Sequence, residues 1–297
     1  MNQACIHPAP DGDTLPQMPS WVISRSGDTL GDVAFFSGAA LGHLHIVMAR
    51  ADVPQGLLRE RLALRAAEAS VAFSGRPERA ADLRDAVHLL RPGDLPGPAG
   101  LIYQHWRKAI ERPVSIIALY PALPTCSETD LAVWLGRFGS GPGGPVGRAS
   151  AVLEAVMSEY PRAEHVALIL ADAVMAQALG WDYAVPLLGG GLSPRDLRKT
   201  GDNLRHACHR AVVASAVEAT RMAADLARRA ARLNAVAPKL RAKGAGAAVE
   251  MFLTRDAVAP WALPLSDRAA RRLCDRLVSL GAVREVTGRD SFRLYGI

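Results

Sequence analysis

The densest group of side chains able to do chemistry is RHACHR, Arg205 to Arg210, which supplies His206, Cys208 and His209 in close succession. On a helix His206 and His209 share a face while Cys208 points elsewhere, so a metal site there needs ligands from another segment. Structural or surface histidines are the simpler expectation, and no metal ligand is assigned. His43 and His45 diverge on a helix and form no chelating pair. Glu68 in RAAEAS and Asp172 in LILADAV place carboxylates on otherwise apolar helix faces. A buried pair suits acid–base work, whereas a single hydrogen-bonded or arginine-paired acid serves structure. The polar run LRKTGDNLRHACHR, Leu197 to Arg210, offers Arg198, Lys199 and Arg205 as an anion-binding set, or caps the helix that follows through Asp202. The cap is the preferred reading.

Two glycine-rich stretches invite a phosphate-loop reading and fail it. GSGPGGP lacks a following lysine and a strand–loop–helix setting, and so does LLGGGLSP. A Ser/His/Asp arrangement has no nucleophile-elbow pattern behind it. No catalytic residue and no cofactor is assigned, and the chain reads as a non-enzyme more readily than as an enzyme.

The elements that must position these groups are helical. Hydrophobic residues make up 49% of the 297 residues and aromatics only 5%, which favours aliphatic helices around a real core. The cysteines, at positions 5, 126, 208 and 274, show no zinc-knuckle or compact disulfide spacing, which points to a reducing cytoplasm. The first twenty residues have no basic start and apolar run, so no export signal is expected. Val33 to Ala49 carries no charged residue, but it falls short of the roughly 20 residues a bilayer needs. It is expected to be a buried core helix, with Gly38 and Gly42 admitting a close neighbour, and no membrane is expected.

Helices are predicted over about Asp32–Ala49, Pro54–Ser74, Pro77–Leu90, Gly100–Glu111, from Ser127 as an N-cap, Val146–Tyr160, Arg162–Leu179 and Asn203–Asn234. GRFGSGPGGPVG, Gly136 to Gly147, is the strongest linker. The organisation is therefore a flexible tail at 1–30, a helical layer at 31–138, a linker at 139–147, a second layer with the long helix at 148–243, and a terminal module at 244–297.

That module carries the clearest functional signal. From residue 201 onward there are 17 Lys and Arg against 9 Asp and Glu, a net +8, while the first 200 residues net −2, so the whole basic excess lies in the last third. Two short helices, Ala247–Thr254 and about Asp256–Trp261, precede a longer one capped by Ser266 and ended by Gly281. Ala269, Ala270, Leu273, Cys274, Leu277 and Leu280 form one arc of that helix and Arg268, Arg271, Arg272 and Arg276 the opposite one. AVREV and SFRLYGI alternate around TGRD, the pattern of a hairpin. The order is that of a winged helix, so the fold class is mainly α, a multi-helix bundle with a C-terminal winged helix ending in a β-hairpin.

In that arrangement the four arginines meet the DNA major groove and Arg289 on the wing reaches the neighbouring backbone. Double-stranded DNA is the expected partner, with the helical body serving a homodimer or a protein partner. Asp267, Asp275 and Asp290 weaken a phosphate-binding field, and a protein-docking module with no DNA contact is the alternative.

The stretches GDVAFFSGAALGHLH, RLALRAAEASVAFSGRPERAADLRDAVHLLRPGDLPGPAG, LGWDYAVPLL, DLRKTGDNLRHACHRAVVASAVEA and RRLCDRLVSLGAVREVTGRDSFRLYGI resemble the bacterial family known as domain of unknown function 1403. The resemblance covers nearly the whole chain and implies no particular reaction. More distantly, a helical body followed by REVTGRDSFRLYGI resembles Fic-domain proteins, which transfer AMP from ATP to hydroxyl side chains. Their signature is a histidine followed by Pro-Phe and a Gly-Asn-Gly-Arg turn, whereas LGWDYAVPLLGGGLSPR stands in the comparable place here. Without the base and the arginine-bearing cradle, that resemblance implies a degenerate nucleotide binder.

Overall fold

The computed structural model describes residues 15–23, 29–91, 93–240, 243–287 and 292–297. It is mainly helical. In chain order the helices are α1 (Ser20–Ile23), α2 (Leu30–Met48), α3 (Gln55–Phe73), α4 (Ala80–His88), α5 (Gly97–Glu111), α6 (Ile116–Leu119), α7 (Glu128–Gly139), α8 (Pro145–Glu159), α9 (Glu164–Leu179), α10 (Leu188–Gly191), α11 (Gly201–Val236), α12 (Ala245–Thr254) and α13 (Asp267–Ser279), followed by strands β1 (Arg284–Glu285) and β2 (Tyr295–Gly296).

Local chemistry sets several boundaries. Thr29 and Asp32 exchange hydrogen bonds at the start of α2, and Ser127 and Asp130 do the same for α7, each satisfying backbone donors the helix leaves open. The linker is shorter than its composition suggests: α7 runs to Gly139 and α8 starts at Pro145 with its fixed φ. Long-range chemistry sets α11, whose Thr200 N-cap makes no side-chain bond. Glu154 of α8 accepts the Gly201 N–H at 3.0 Å. Asp202, the expected cap, pairs with Arg205 on the surface instead.

One hydrophobic cluster runs from Leu15 to Ile297. Its centre is α9, in which every residue from Val166 to Ala176 is buried between α8, α3, α5 and α7. Within the span read as a tail, Leu15, Met18 and Val22 are buried, and the Pro16 carbonyl lies 3.0 Å from His43 Nε2.

Helix α2 differs from its expectation as a buried core helix. By length and composition it is apolar enough to cross a membrane. Val33, Ala40, Leu41, Leu44 and Val47 pack inward against α11, but Phe35 is 64% and Ile46 60% exposed. An uncharged stretch alone does not tell a helix buried all round from one with an apolar outer face.

The small helix α10 is the wedge between α3, α9 and α11. Both oxygens of buried Asp172 accept backbone N–H bonds from Leu187, Leu188 and Gly189 at 2.9 to 3.2 Å. The glycines of LLGGGL serve contact: a Cβ on Gly189 would lie 2.2 Å from the Trp106 ring, and one on Gly191 2.5 Å from Ser215 Oγ. The neighbours require glycine there.

In the terminal module the helix expected at Asp256–Trp261 is replaced. Val258 bridges Tyr295 in an extended segment, and only Pro260–Ala262 turns, as a 3₁₀ helix. Two backbone bonds between Val258 and Tyr295 hold the chain extended, and Pro260, which lacks an N–H, starts the turn. Arg284 pairs with Gly296 and Glu285 with Tyr295 in an antiparallel ladder, so the strand pairing expected there is present but two residues long. The turn residues Gly288 to Ser291, Arg289 and Asp290 among them, lie outside the described residues.

Candidate nucleic-acid interface

Helix α13 buries Ala270, Leu273, Cys274 and Leu277 and exposes Arg268, Arg271, Arg272 and Arg276. Ser266 stands at its N-cap, although the hydroxyl makes no capping bond. At the other end Gly281 has a φ of 63°, the left-handed conformation glycine adopts without strain, and donates to Val278 O. Gly281 has a second role, because a Cβ there would lie 2.6 Å from Arg232 Nη2.

The arginines are not equivalent. Arg271 is 3.0 Å from Asp267, one turn back. Among the described residues Arg268, Arg272 and Arg276 have no carboxylate within salt-bridge distance. These three present unneutralised guanidinium groups from one helix, the chemistry that phosphate oxygens engage.

A second basic surface joins the module to α11. Arg228, Arg229 and Arg232 line a cavity of about 590 Å³ with Arg284 of β1. Arg232 reaches the Leu280 carbonyl at the C-terminus of α13, and Asp225 partly neutralises Arg228 at 3.1 Å and Arg229 at 2.6 Å. Burial first, and then the like charges of Arg229 and Arg61, hold the Arg284 guanidinium below its usual range; four arginines line this corner against Asp225 and Glu285. Sequence reading passed over it, although arginines at i, i+1 and i+4 in RRAAR were a usable signal.

What fastens the module to the body is ionic. Asp256 is fully buried and takes Arg61 Nε at 2.9 Å and Arg84 Nε at 2.5 Å, and Arg61 also donates to the Ile297 carbonyl. Glu60 receives Arg107 at 2.7 Å and the Asp256 N–H at 2.8 Å. Burial opposes a charge on Asp256, but the hydrogen bond and charge of Arg84, helped by Arg61, outweigh it and hold the carboxyl below the usual range.

The expected anion set does not form one cluster of free cations. Lys199 is tied to Asp196 at 2.7 Å, Arg198 is exposed on the neighbouring 3₁₀ turn, and Arg205 borders a groove against α2. His209 is buried with Nδ1 2.6 Å from Ser37 Oγ, and Cys208 is buried with its thiol pushed up to about 12 by desolvation. Glu68 is partly exposed, 3.7 Å from Arg79, and does not pair with Asp172. Among the described residues no group of three or more His, Cys, Asp or Glu is placed to hold a metal ion.

No curated protein matches the chain. A family model does, over residues 8–297, so the Asp256 tie, the α11 arginines and the module all lie within the match, and the chain belongs to the family described as Protein of unknown function (DUF1403).

Proposed function

We propose that the chain is a non-enzymatic, cytoplasmic DNA-binding or regulatory protein whose C-terminal module is a winged helix, with the helical body serving dimerisation or partner binding. The observation that carries this reading is the pairing of Val258 with Tyr295, with N–H to O distances of 2.8 and 2.9 Å in the two directions. It sets the segment after α12 beside β2, which pairs on with β1, and this ladder beside α13 supports the winged-helix reading. The free arginines of α13 then face the major groove, and the α11 corner supplies phosphate contacts. Retardation of random duplex at low salt tests this: the wild type should shift it, and Arg268→Ala with Arg272→Ala and Arg276→Ala should not. An unshifted duplex with the wild type refutes the reading.

A second reading, a protein-docking module without DNA contact, draws on Trp261 and Phe292, 49% and 55% exposed beside α13 around a cavity of about 490 Å³. Phe292 has a φ of 61°, a costly conformation for a side chain left in solvent. Loss of partner capture in Trp261→Ala with duplex binding intact supports this second reading. The degenerate Fic-like reading needs a phosphate cradle. Three amides of the comparable segment already serve Asp172, so titration with ATP and Mg²⁺ should give no heat.

A further inference from the structure

A groove of about 760 Å³ runs between α2, the start of α8, the end of α9 and the start of α11. That size suits a small organic ligand. Leu30, Ala34, Leu41, Val146 and Leu179 make its walls apolar. Gly38 and Gly42 of α2 line it, and a Cβ on either would meet nothing within 4 Å. Glycine weakens a helix interior, and here no packed neighbour requires it. The room these glycines leave is the groove itself.

The polar groups in the groove are few. Trp181 donates its indole N–H to His45 Nδ1 at 2.9 Å, which places the proton of the neutral ring on Nε2 as a donor. Ser37 Oγ donates to the Ala34 carbonyl at 3.0 Å and so accepts from His209 Nδ1–H at 2.6 Å, which leaves Nε2 of the neutral ring as an acceptor without a hydrogen-bond partner among the described residues. Burial first, and then the charge of Arg205, lower His209 to about 4, so the ring is neutral. Among the described residues Arg205 is the one cation in the lining; it is paired with the exposed Asp202, which stands outside the lining, so a bound acid competes with that carboxylate for the guanidinium. Helix α8 opens on the same groove from Gly144, an N-cap with no side-chain bond, so the positive end of its dipole adds to that field. Among the described residues no Asp or Glu lines the groove.

We propose that this groove binds a small organic acid, its apolar body along Gly38 and Gly42, with Arg205 as counter-charge and His45 Nε2–H as hydrogen-bond donor. The proposal is independent of DNA binding. Calorimetry on the full chain with decanoate, and with decanol as its neutral counterpart, tests it. Decanoate should bind about tenfold tighter than decanol, and Arg205→Leu should abolish that preference while leaving decanol binding unchanged. Gly42→Leu, which fills the groove from an open helix position, should weaken decanoate by more than about tenfold with no loss of thermal stability, and Gly38→Leu replaces it if that variant melts early. Equal binding of acid and alcohol, undiminished binding in both filled variants, or no heat with either compound overturns the proposal.

Discussion

Arg84 of α4 and Asp256, 172 residues apart in the chain, meet at 2.5 Å with the aspartate fully buried, so the fastening of the terminal module to the body is a desolvated ion pair. Removing the carboxylate charge leaves Arg61 and Arg84 facing each other uncompensated. Breaking a buried pair of this kind costs about 3 to 5 kcal/mol, so Asp256→Asn should lower the unfolding free energy by that order in denaturant titrations. Because the folded carboxyl is held below its unfolded value, the wild type keeps this stabilisation above about pH 4 and loses it as pH falls further. The variant should show no such loss from this site.

Asp172 gives the opposite slope. Burial raises its carboxyl to about 7 against the pull of three backbone N–H donors. A folded value above the unfolded one means the folded state holds its proton while the unfolded chain releases it. This contribution is therefore complete at low pH and fades as pH rises from about 4 to about 7, by on the order of 4 kcal/mol. Asp172→Asn cannot titrate. Urea unfolding at pH 5 and pH 8 should show the wild type losing stability relative to the variant, and a difference that does not change with pH refutes the raised value.

Glycines of the two kinds should respond in opposite directions. Gly189→Ala drives a methyl to 2.2 Å from the Trp106 ring and 3.0 Å from Ala66 Cβ, both buried, so a loss of about 3 kcal/mol is expected. Gly42→Ala places the same methyl in open space within a helix and should gain about 1 kcal/mol. Paired thermal melts check both signs.

These contrasts show what a one-dimensional reading reaches. The apolar arc of α13 and the Ser127 cap were legible because each depends on neighbours within a turn or two. The arginine arc of α13 was legible for the same reason. Asp256 was not, since its partners Arg61 and Arg84 lie on α3 and α4, and nothing in the flanking residues announces them. Gly38 and Gly42 were visible as a pair but read as a helix contact, because a glycine beside a neighbour and one beside a cavity have the same spelling. Glu154 took the capping role assigned to Asp202 for a similar reason: a carboxylate arriving from α8 is as good an acceptor as a local one.

The ion pair between Arg271 and Asp267 ranks the arginines of α13 for DNA binding. If the module binds phosphates, each cation that contacts one contributes about 0.9 to the slope of log affinity against log salt. Arg268→Ala, Arg272→Ala and Arg276→Ala together should flatten that slope by about 2.7. Arg271→Ala should change it less than Arg272→Ala, because Asp267 already holds Arg271 at 3.0 Å on the exposed surface. Asp267→Asn releases Arg271 and removes a charge that repels phosphate, so it should tighten binding to random duplex and steepen the salt dependence. Fluorescence anisotropy across a salt series reads all of these, and an Asp267→Asn variant that binds no better than the wild type would remove α13 from the phosphate-facing surface.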